Sequence, residues 1–270
     1  MNTIAKRVQS PSSIKTFKQC PRKYYYSYIL KLETKANIHT VRGNIAHSVL
    51  EHFFDIDTSV ISMENHEAHL KLIVQKLLLK EWQNYKTELD KLGLTQDKQI
   101  HYFEDTLVML FNWVDLFSSK LSRKTGTFAE RFKKLTPMRE LLLVSENYST
   151  KGYIDAIEHD EDGSVRIMDY KTSSSQNINE HILQLAIYSL LYFDKHGTMP
   201  KQVGIYFLKG RESLVDVDEK LLDMAKKEIA HVHESTLTED VNHYPKKPSP
   251  LCKFSTGQCD FYDVCRPHER

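Results

Sequence analysis

Residues 152–171, GYIDAIEHDEDGSVRIMDYK, contain the pattern that decides the fold. Two short apolar runs, 153–158 and 165–170, flank Asp162-Gly163, a dipeptide typical of tight hairpin turns, so the stretch predicts two antiparallel strands. Side chains two residues apart on a strand point to the same face, which places Asp169 beside Lys171. Asp155 lies on the neighbouring strand. We therefore expect two carboxylates and one lysine to converge.

Such a group of side chains suits the hydrolysis of a phosphodiester bond. Carboxylate oxygens are the ligands that hard cations such as Mg²⁺ or Mn²⁺ prefer. A bound cation of this kind can generate hydroxide and neutralise charge on the attacked phosphate, and a lysine adds positive charge beside the attacking water. An isolated Asp-x-Lys triplet is also a common pattern of solvated strand ends, so the interpretation depends on the rest of the chain.

The apolar periodicity on either side of this stretch predicts an α/β fold. The predicted helices cover residues 14–28, 41–54, 66–92, 98–121, 178–193 and 218–233, and Pro21 predicts a break in the first of them just after Cys20. The predicted strands cover residues 141–148, 153–158, 165–170, 203–208 and 214–217. The second half thus has the order β-β-β-α-β-β-α. We expect four regions: basic N-terminal helices at 1–55, a helical region at 56–138, the α/β core at 139–235 and a tail at 236–270.

Composition and charge exclude several classes of protein. The chain has 270 residues with only 9 Gly and 8 Pro, which argues against an all-β sandwich and against disorder. Its apolar runs are far shorter than the roughly 20 residues of a membrane span, and no apolar signal-peptide core follows the N-terminus, so we expect a cytoplasmic protein. The net charge is +1, yet residues 1–42 hold nine basic side chains and one acid. This basic arm suits a polyanion.

Three further motifs accompany the central stretch, and together they form an ordered pattern. They are Gly43-x-x-x-His47, Glu146 and Gln184-x-x-x-Tyr188. In this arrangement the chain resembles the RecB-like branch of the PD-(D/E)XK nuclease superfamily, whose pattern is Gly-x-x-x-His, Glu, Gly-x-x-Asp, Asp-x-Lys and Gln-x-x-x-Tyr. All five elements occur in order between residues 43 and 188.

The resemblance implies a restriction-endonuclease-like mixed sheet flanked by helices, with metal-dependent hydrolysis of DNA as the activity. The implied ligands of Mg²⁺ or Mn²⁺ are His47, Asp155, Asp169 and the backbone carbonyl of Tyr170. The resemblance further implies that Glu146 lies at the rim of the metal site and that Lys171 orients or activates the attacking water. Gln184 and Tyr188 would hold the DNA backbone or support the lysine.

The four cysteines match a subset of the same family, in which one early and three late cysteines hold a 4Fe-4S cluster. Here Cys20 stands near the start and the other three are Cys252, Cys259 and Cys265. The resemblance therefore implies an iron-sulfur clasp that joins the N- and C-terminal segments. The late spacing is C-x6-C-x5-C, whereas the family usually has C-x2-C-x5-C. A zinc site made by the same thiolates is the leading alternative, and four unligated thiols are another.

The expected substrate is single-stranded or frayed DNA, with Lys18, Arg22 and Lys23 of the basic arm as candidate phosphate contacts. The chain has no Gly-x-x-x-x-Gly-Lys-Ser/Thr loop, so any unwinding must come from a partner. Size and cysteines most resemble CRISPR-associated RecB-like exonucleases and stand-alone repair nucleases, which implies a helicase or a CRISPR adaptation protein as partner. The alternative is a non-catalytic DNA-binding or scaffolding subunit. Clustered acids facing phosphate argue against that alternative.

Overall fold

A five-stranded sheet lies at the centre of the computed structural model, which describes residues 7–254 and 257–267. Its strands, in spatial as well as chain order, are β1 (Met138–Ser145), β2 (Thr150–His159), β3 (Val165–Lys171), β4 (Gln202–Phe207) and β5 (Glu212–Asp216). The β3–β4 pair is parallel and the other pairs are antiparallel. The prediction of an α/β fold with a mixed sheet is confirmed.

Ten α-helices surround or extend this sheet in the described residues. They are α1 (Pro11–Gln19), α2 (Pro21–Tyr24), α3 (Ile38–Phe53), α4 (His66–Asn84), α5 (Lys86–Lys91), α6 (Gln96–Ser122), α7 (Phe128–Leu135), α8 (Ile182–His196), α9 (Glu219–Ser235) and α10 (Tyr262–Cys265). A π-helical turn, Tyr25–Ile29, continues α2, and a small second sheet pairs β6 (Lys253–Phe254) with β7 (Gly257–Gln258). No helix in this set is both long enough and apolar enough to cross a membrane.

Two helices differ from the sequence-based expectation. The single helix predicted over 66–92 divides at Tyr85, where the backbone leaves the helical region, and this break lets Leu89 of α5 enter the core. Helix α7 was not predicted. Its start is a capping box in which Thr127 accepts from the Glu130 N–H and the Glu130 carboxylate accepts from the Thr127 N–H. Phe128 and Phe132 bury its apolar side.

The sheet separates two hydrophobic cores, and β3 contributes to both by alternation. Ile167 faces the core built with α1, α8 and α9. Met168 and Tyr170 face the core built with α3, α4, α6 and α7. Asp169 and Lys171 follow Ile167 at two-residue intervals, so they project toward the α8 side of the sheet.

Strand β1 begins three residues earlier than predicted, and this shift has consequences for the site. Its register pairs Arg139 with Ala156 and Leu141 with Ile154, which sets Glu140 opposite Asp155. The earlier start is fixed by Arg139, whose guanidinium donates to Asp55 Oδ1 at 2.8 Å. A charged residue at the beginning of a strand gives no apolar signal, so apolar periodicity in the sequence does not predict this early start of β1.

Gly152 on β2 allows a close approach of α8, and its replacement is expected to be destabilising. A Cβ there would lie 3.0 Å from Tyr188 Cε1 and 3.1 Å from Leu191 Cδ1. Overpacking of this kind costs about 1–3 kcal/mol, so Gly152→Val should lower the free energy of urea unfolding by that amount. Gly43→Ala is the matched control, because its Cβ would meet only Thr172 Oγ1 at 3.8 Å. Equal losses in both variants would refute this account of Gly152.

Candidate active site

The site lies where strands β2 and β3 separate. Their pairing runs from His159 and Val165 to Ala156 and Met168 and ends there, while β3 continues along β4 as far as Lys171. The side chain of Asp155 occupies the resulting gap, and its Oδ2 accepts a hydrogen bond of 2.7 Å from the Tyr170 N–H. The carboxylate is therefore fixed by the backbone of the neighbouring strand.

His47 approaches this gap from helix α3. Its Nδ1 lies 3.4 Å from Asp155 Oδ2, and its Nε2 lies 3.0 Å from the carbonyl oxygen of Tyr170. Burial by itself lowers the pKa of His47, but the hydrogen bond to Asp155 and the charges of Asp155 and Asp169 outweigh it and raise that pKa to about 9. The protonated ring of His47 thus places positive charge between the Asp155 carboxylate and the Tyr170 carbonyl. This is a position that suits a metal cation.

Asp169 and Lys171 form an ion pair on the α8 side of the sheet, with Lys171 Nζ 2.6 Å from Asp169 Oδ2. The side chain of Asp169 is 2% exposed, and burial raises its pKa while the charge of Lys171 opposes that rise. Asp169 Oδ1 accepts a 2.8 Å hydrogen bond from Gln184 Nε2, which also donates to Tyr188 Oη at 2.8 Å. One face of α8 therefore orients the carboxylate of Asp169.

Glu140 completes the site, and sequence reasoning missed it. Ligand atoms of His47, Glu140 and Asp155 all lie within 4.8 Å of one another, the one such group of three that the described residues form. Burial and the charge of Asp155 raise the pKa of Glu140 to about 7. Its φ of 47° is uncommon for a residue with a side chain, and such strain is frequent at functional sites. A strand assignment starting at Met138 would have placed it opposite Asp155.

Glu146 does not reach this group, which corrects the prediction that it lies at the rim of the metal site. It is exposed in the turn between Ser145 and Thr150, at the far end of β1 from Glu140. The physical reason is the register, because a strand ending at Ser145 leaves Glu146 in the hairpin loop.

The donor set has the composition of a hard-cation site. His47, Asp155 and the carbonyl of Tyr170 lie together, and Glu140 adds a second carboxylate. Asp169 stands outside the group of three, and its two oxygens contact Lys171 and Gln184. The raised pKa values of His47 and Glu140 both reflect excess negative charge, which a divalent cation would neutralise.

The candidate phosphate contacts of the basic arm have different surroundings. Lys18 pairs with Glu228 at 2.6 Å and stays 44% exposed. Arg22 donates to the carbonyl oxygens of Tyr244 at 2.7 Å and Val241 at 3.3 Å, so its guanidinium joins the arm to the tail. Lys23 is half-buried beside the cysteines. A count of charges in sequence cannot separate these roles.

The four cysteines are free and line one small cavity between the two terminal segments. The segments also touch through side chains: the rings of Tyr24 and Tyr244 stack 6.2 Å apart, and Lys247 Nζ donates to the Lys18 carbonyl at 2.9 Å. Burial raises the pKa of the Cys265 thiol, and the neighbouring thiols of Cys20 and Cys259 raise it further.

Comparison with known proteins agrees with this geometry. Residues 9–266 match the family model of the PD-(D/E)XK nuclease superfamily. The chain belongs to this superfamily. Members of the PD-(D/E)XK superfamily are nucleases, which hydrolyse nucleic acids. No curated protein matches the chain.

A solved structure shows a similar fold. It is the crystal structure of a "putative exonuclease" from Eubacterium rectale, which aligns with a TM-score of 0.53 at 12% sequence identity. The alignment covers 98% of this PD-(D/E)XK chain and 89% of the other. At this identity the similarity establishes the fold alone.

Proposed function

We propose that the protein is a RecB-like, metal-dependent deoxyribonuclease, an exonuclease that hydrolyses phosphodiester bonds of single-stranded or frayed DNA. The observation that carries the proposal is the meeting of His47, Asp155 and Glu140 beside the Asp169–Lys171 ion pair at the opening of the sheet. DNA repair, recombination or CRISPR adaptation is the proposed setting, in the cytoplasm and with a helicase or an adaptation protein that supplies the strand.

In this proposal Mg²⁺ or Mn²⁺ is held by His47, Asp155, Asp169 and the Tyr170 carbonyl, with Glu140 as an additional carboxylate. When bound, the cation lowers the pKa of water and neutralises charge that develops on the phosphate. A non-catalytic scaffold would gain nothing from clustered acids in which the charge of Asp155 contributes to raising the pKa values of Glu140 and Asp169, so the geometry favours an enzyme.

Three side chains beside the proposed metal site have the remaining roles. The side chain of Lys171 is 23% exposed, so its Nζ can donate to the attacking water or to a non-bridging phosphate oxygen while it remains beside Asp169. Gln184 fixes one oxygen of Asp169, and Tyr188 accepts from the same amide group. These two residues therefore act as positioning residues for the carboxylate.

Two open grooves meet at Lys171 and support a strand as the substrate. One groove runs along α1 and the start of α8, and the other runs past His39, Tyr102 and Lys209. A strand that crosses both would pass its phosphates over Lys171. A duplex would first have to open at about 1.4 kcal/mol per base-pair step, which favours a single-stranded or frayed end.

For the cysteines we propose one 4Fe-4S cluster held by Cys20, Cys252, Cys259 and Cys265. All four cysteines line one cavity between the N- and C-terminal segments, which supports a single centre bound by the four thiolates. Zinc bound by the same thiolates is the alternative, and the iron, sulfide and zinc contents of the purified protein decide between the two.

An end-labelled cleavage assay tests the nuclease proposal. Purified protein with Mg²⁺ or Mn²⁺ should shorten a single-stranded 30-mer from one end, leave a blunt duplex of the same sequence largely intact, and be inactive in EDTA. Absence of metal-dependent cleavage, with DNA binding retained, would establish the non-catalytic alternative. Equal cleavage of both substrates would remove the proposed substrate preference.

Glu140→Gln is expected to weaken Mn²⁺ binding by at least about tenfold, because it removes one carboxylate from the group that faces the cation. Isothermal titration of Mn²⁺ into the metal-free protein measures this. Glu146→Gln is the matched control and should bind Mn²⁺ like the wild type, since Glu146 lies in the β1–β2 turn. If Glu146→Gln weakened Mn²⁺ binding and Glu140→Gln did not, Glu146 rather than Glu140 would belong to the metal site.

A further inference from the structure

One groove beside the candidate active site contains a polar group that the proposed catalysis does not use. The groove has a volume of about 570 Å³, lies between α1 and the first turn of α8, and reaches Lys171. His181 immediately precedes α8 and forms part of its wall. We name this groove, lined by Lys15, Lys18, Lys171, His181 and Gln184, the α1–α8 groove.

His181 is buried and incompletely bonded. Its side chain contacts the ring of Phe207, and the residue is 9% exposed. Nδ1 is buried without a hydrogen-bond partner in the described part of the chain. Burial, together with the charges of Lys171 and Lys15, lowers the pKa of His181 to about 4, so the imidazole is neutral at physiological pH. A buried polar atom without a partner costs stability unless a ligand satisfies it.

The surroundings of His181 are positive. A 3-10 turn, Ile178–His181, leads into helix α8, which has 15 residues and receives no side-chain cap from His181. The first residues of α8 line the groove, so the positive end of the helix dipole lies at the groove. Lys15 is exposed, and it forms no ion pair within residues 7–254 and 257–267. Lys18 is neutralised by Glu228, and Glu180 is the acid in the wall. Lys15 is therefore the one cation lining the groove that has no ion-pair partner in the described residues.

From this geometry we infer that the α1–α8 groove is a phosphate-binding subsite in which Lys15, His181 and the N-terminus of α8 hold a phosphate of the nucleic-acid strand next to the phosphodiester at Lys171. The inference rests on the proposed nuclease function for the identity of its ligand. It assigns to the groove a positioning role, because it sets which linkage of the strand reaches Lys171. The phosphate can be an internal linkage or the terminal phosphate of a strand, since both present the same oxygens.

Binding of an oligothymidylate 12-mer, measured by fluorescence anisotropy in EDTA, separates this subsite from catalysis. Lys15→Gln should weaken binding about fivefold and reduce the slope of log K against log [salt] by about 0.7, the value for one phosphate contact on a single strand. His181→Phe should also weaken binding, since the ring keeps its packing but loses its polar atoms. Lys195→Gln removes a lysine from the opposite end of α8 and should change neither quantity.

A methylphosphonate scan of the same 12-mer identifies the phosphate. Replacing one phosphate linkage at a time with a neutral methylphosphonate should weaken binding of the 12-mer to the wild type. At one linkage the same replacement should cause no further loss of affinity in Lys15→Gln. Coupling at an internal linkage assigns an internal phosphate, and coupling only to a 5′- or 3′-terminal phosphate assigns an end. No coupling at any position, with wild-type binding and cleavage intact, would overturn the subsite while leaving the nuclease proposal standing. Coupling between Lys15 and one linkage, in a protein that shows no metal-dependent cleavage, would support the subsite and overturn the nuclease proposal.

Discussion

Lys171→Ala is expected to reduce DNA cleavage by about 1,000-fold or more. Among the described residues the lysine is the one cation paired with Asp169, at 2.6 Å, and it lies where two open grooves meet. Loss of a group that donates to the reacting oxygen or moves a proton typically lowers rates by about 100- to 10,000-fold. DNA binding should fall far less than the cleavage rate, because other cations line the grooves. Single-turnover cleavage with Mg²⁺, beside anisotropy in EDTA, measures both effects.

The fold should survive this change. Removal of Lys171 leaves Asp169 buried, but its raised pKa lets the carboxyl bind a proton instead of remaining an unpaired charge. Lys201→Ala is the matched control, since it removes a lysine paired with Asp162 at the surface, 3.3 Å away, and should retain full activity. Cleavage by Lys171→Ala at the wild-type rate, in the presence or absence of EDTA, would be incompatible with the assigned role.

Cys20→Ser is expected to produce the largest loss of stability in the chain. The proposed cluster links Cys20 to Cys252, closing a loop of about 230 residues. In the polymer model a crosslink over such a loop contributes about 5 kcal/mol. The anaerobically purified wild type should be brown, with iron and sulfide in about equal amounts, and Cys20→Ser should be colourless with a melting temperature lower by ten degrees or more.

Gln19→Ala provides the control, because Gln19 lines the same cavity without a thiol. That variant should keep its colour and its melting temperature within a few degrees. A colourless wild type with stoichiometric zinc would instead establish the zinc alternative. A Cys20→Ser protein that keeps colour and stability would show that Cys20 is not a ligand of the cluster.

The central hairpin and its Asp-x-Lys pair were predictable because every local signal agreed. Asp162-Gly163 provides the turn, with Gly163 at φ 79°, and strict alternation on β3 sends Asp169 and Lys171 to one side of the sheet. The same alternation places successive side chains of β3 in the two hydrophobic cores on opposite sides of the sheet. Apolar periodicity works well in this part of the chain because both faces of the sheet are buried.

Glu140 could not be predicted by the same route. It lies among polar residues at the start of β1, where apolar periodicity gives no strand signal, and its positive φ is a conformation that sequence rarely indicates. The pairing register that brings it opposite Asp155 is set by tertiary contacts such as Arg139 with Asp55. Glu146 is also a glutamate and lies close to Glu140 in the sequence. Only the pairing register of β1 with β2 places one at the site and the other in the turn.

The basic arm shows a second limit of sequence reasoning. Nine basic residues in the first 42 indicate a polyanion partner, yet Arg22 donates to backbone carbonyls of the tail and Lys18 pairs with Glu228. The sequence does not distinguish Lys15 from the other basic residues of the arm, yet within the described residues it is the one cation of the α1–α8 groove without an ion-pair partner. Which charges remain available to a ligand depends on partners more than 200 residues away in sequence, and composition carries no information about them.

Anomalous diffraction from crystals soaked in Mn²⁺ tests the central claim most directly, namely that the opening between β2 and β3 holds the catalytic cation. We predict one strong peak bounded by His47, Asp155, Asp169 and the Tyr170 carbonyl, with Glu140 facing it, and loss of that peak in Asp155→Asn. A peak at another location with none at this opening, in crystals of protein that cleaves DNA with Mn²⁺, would contradict the account.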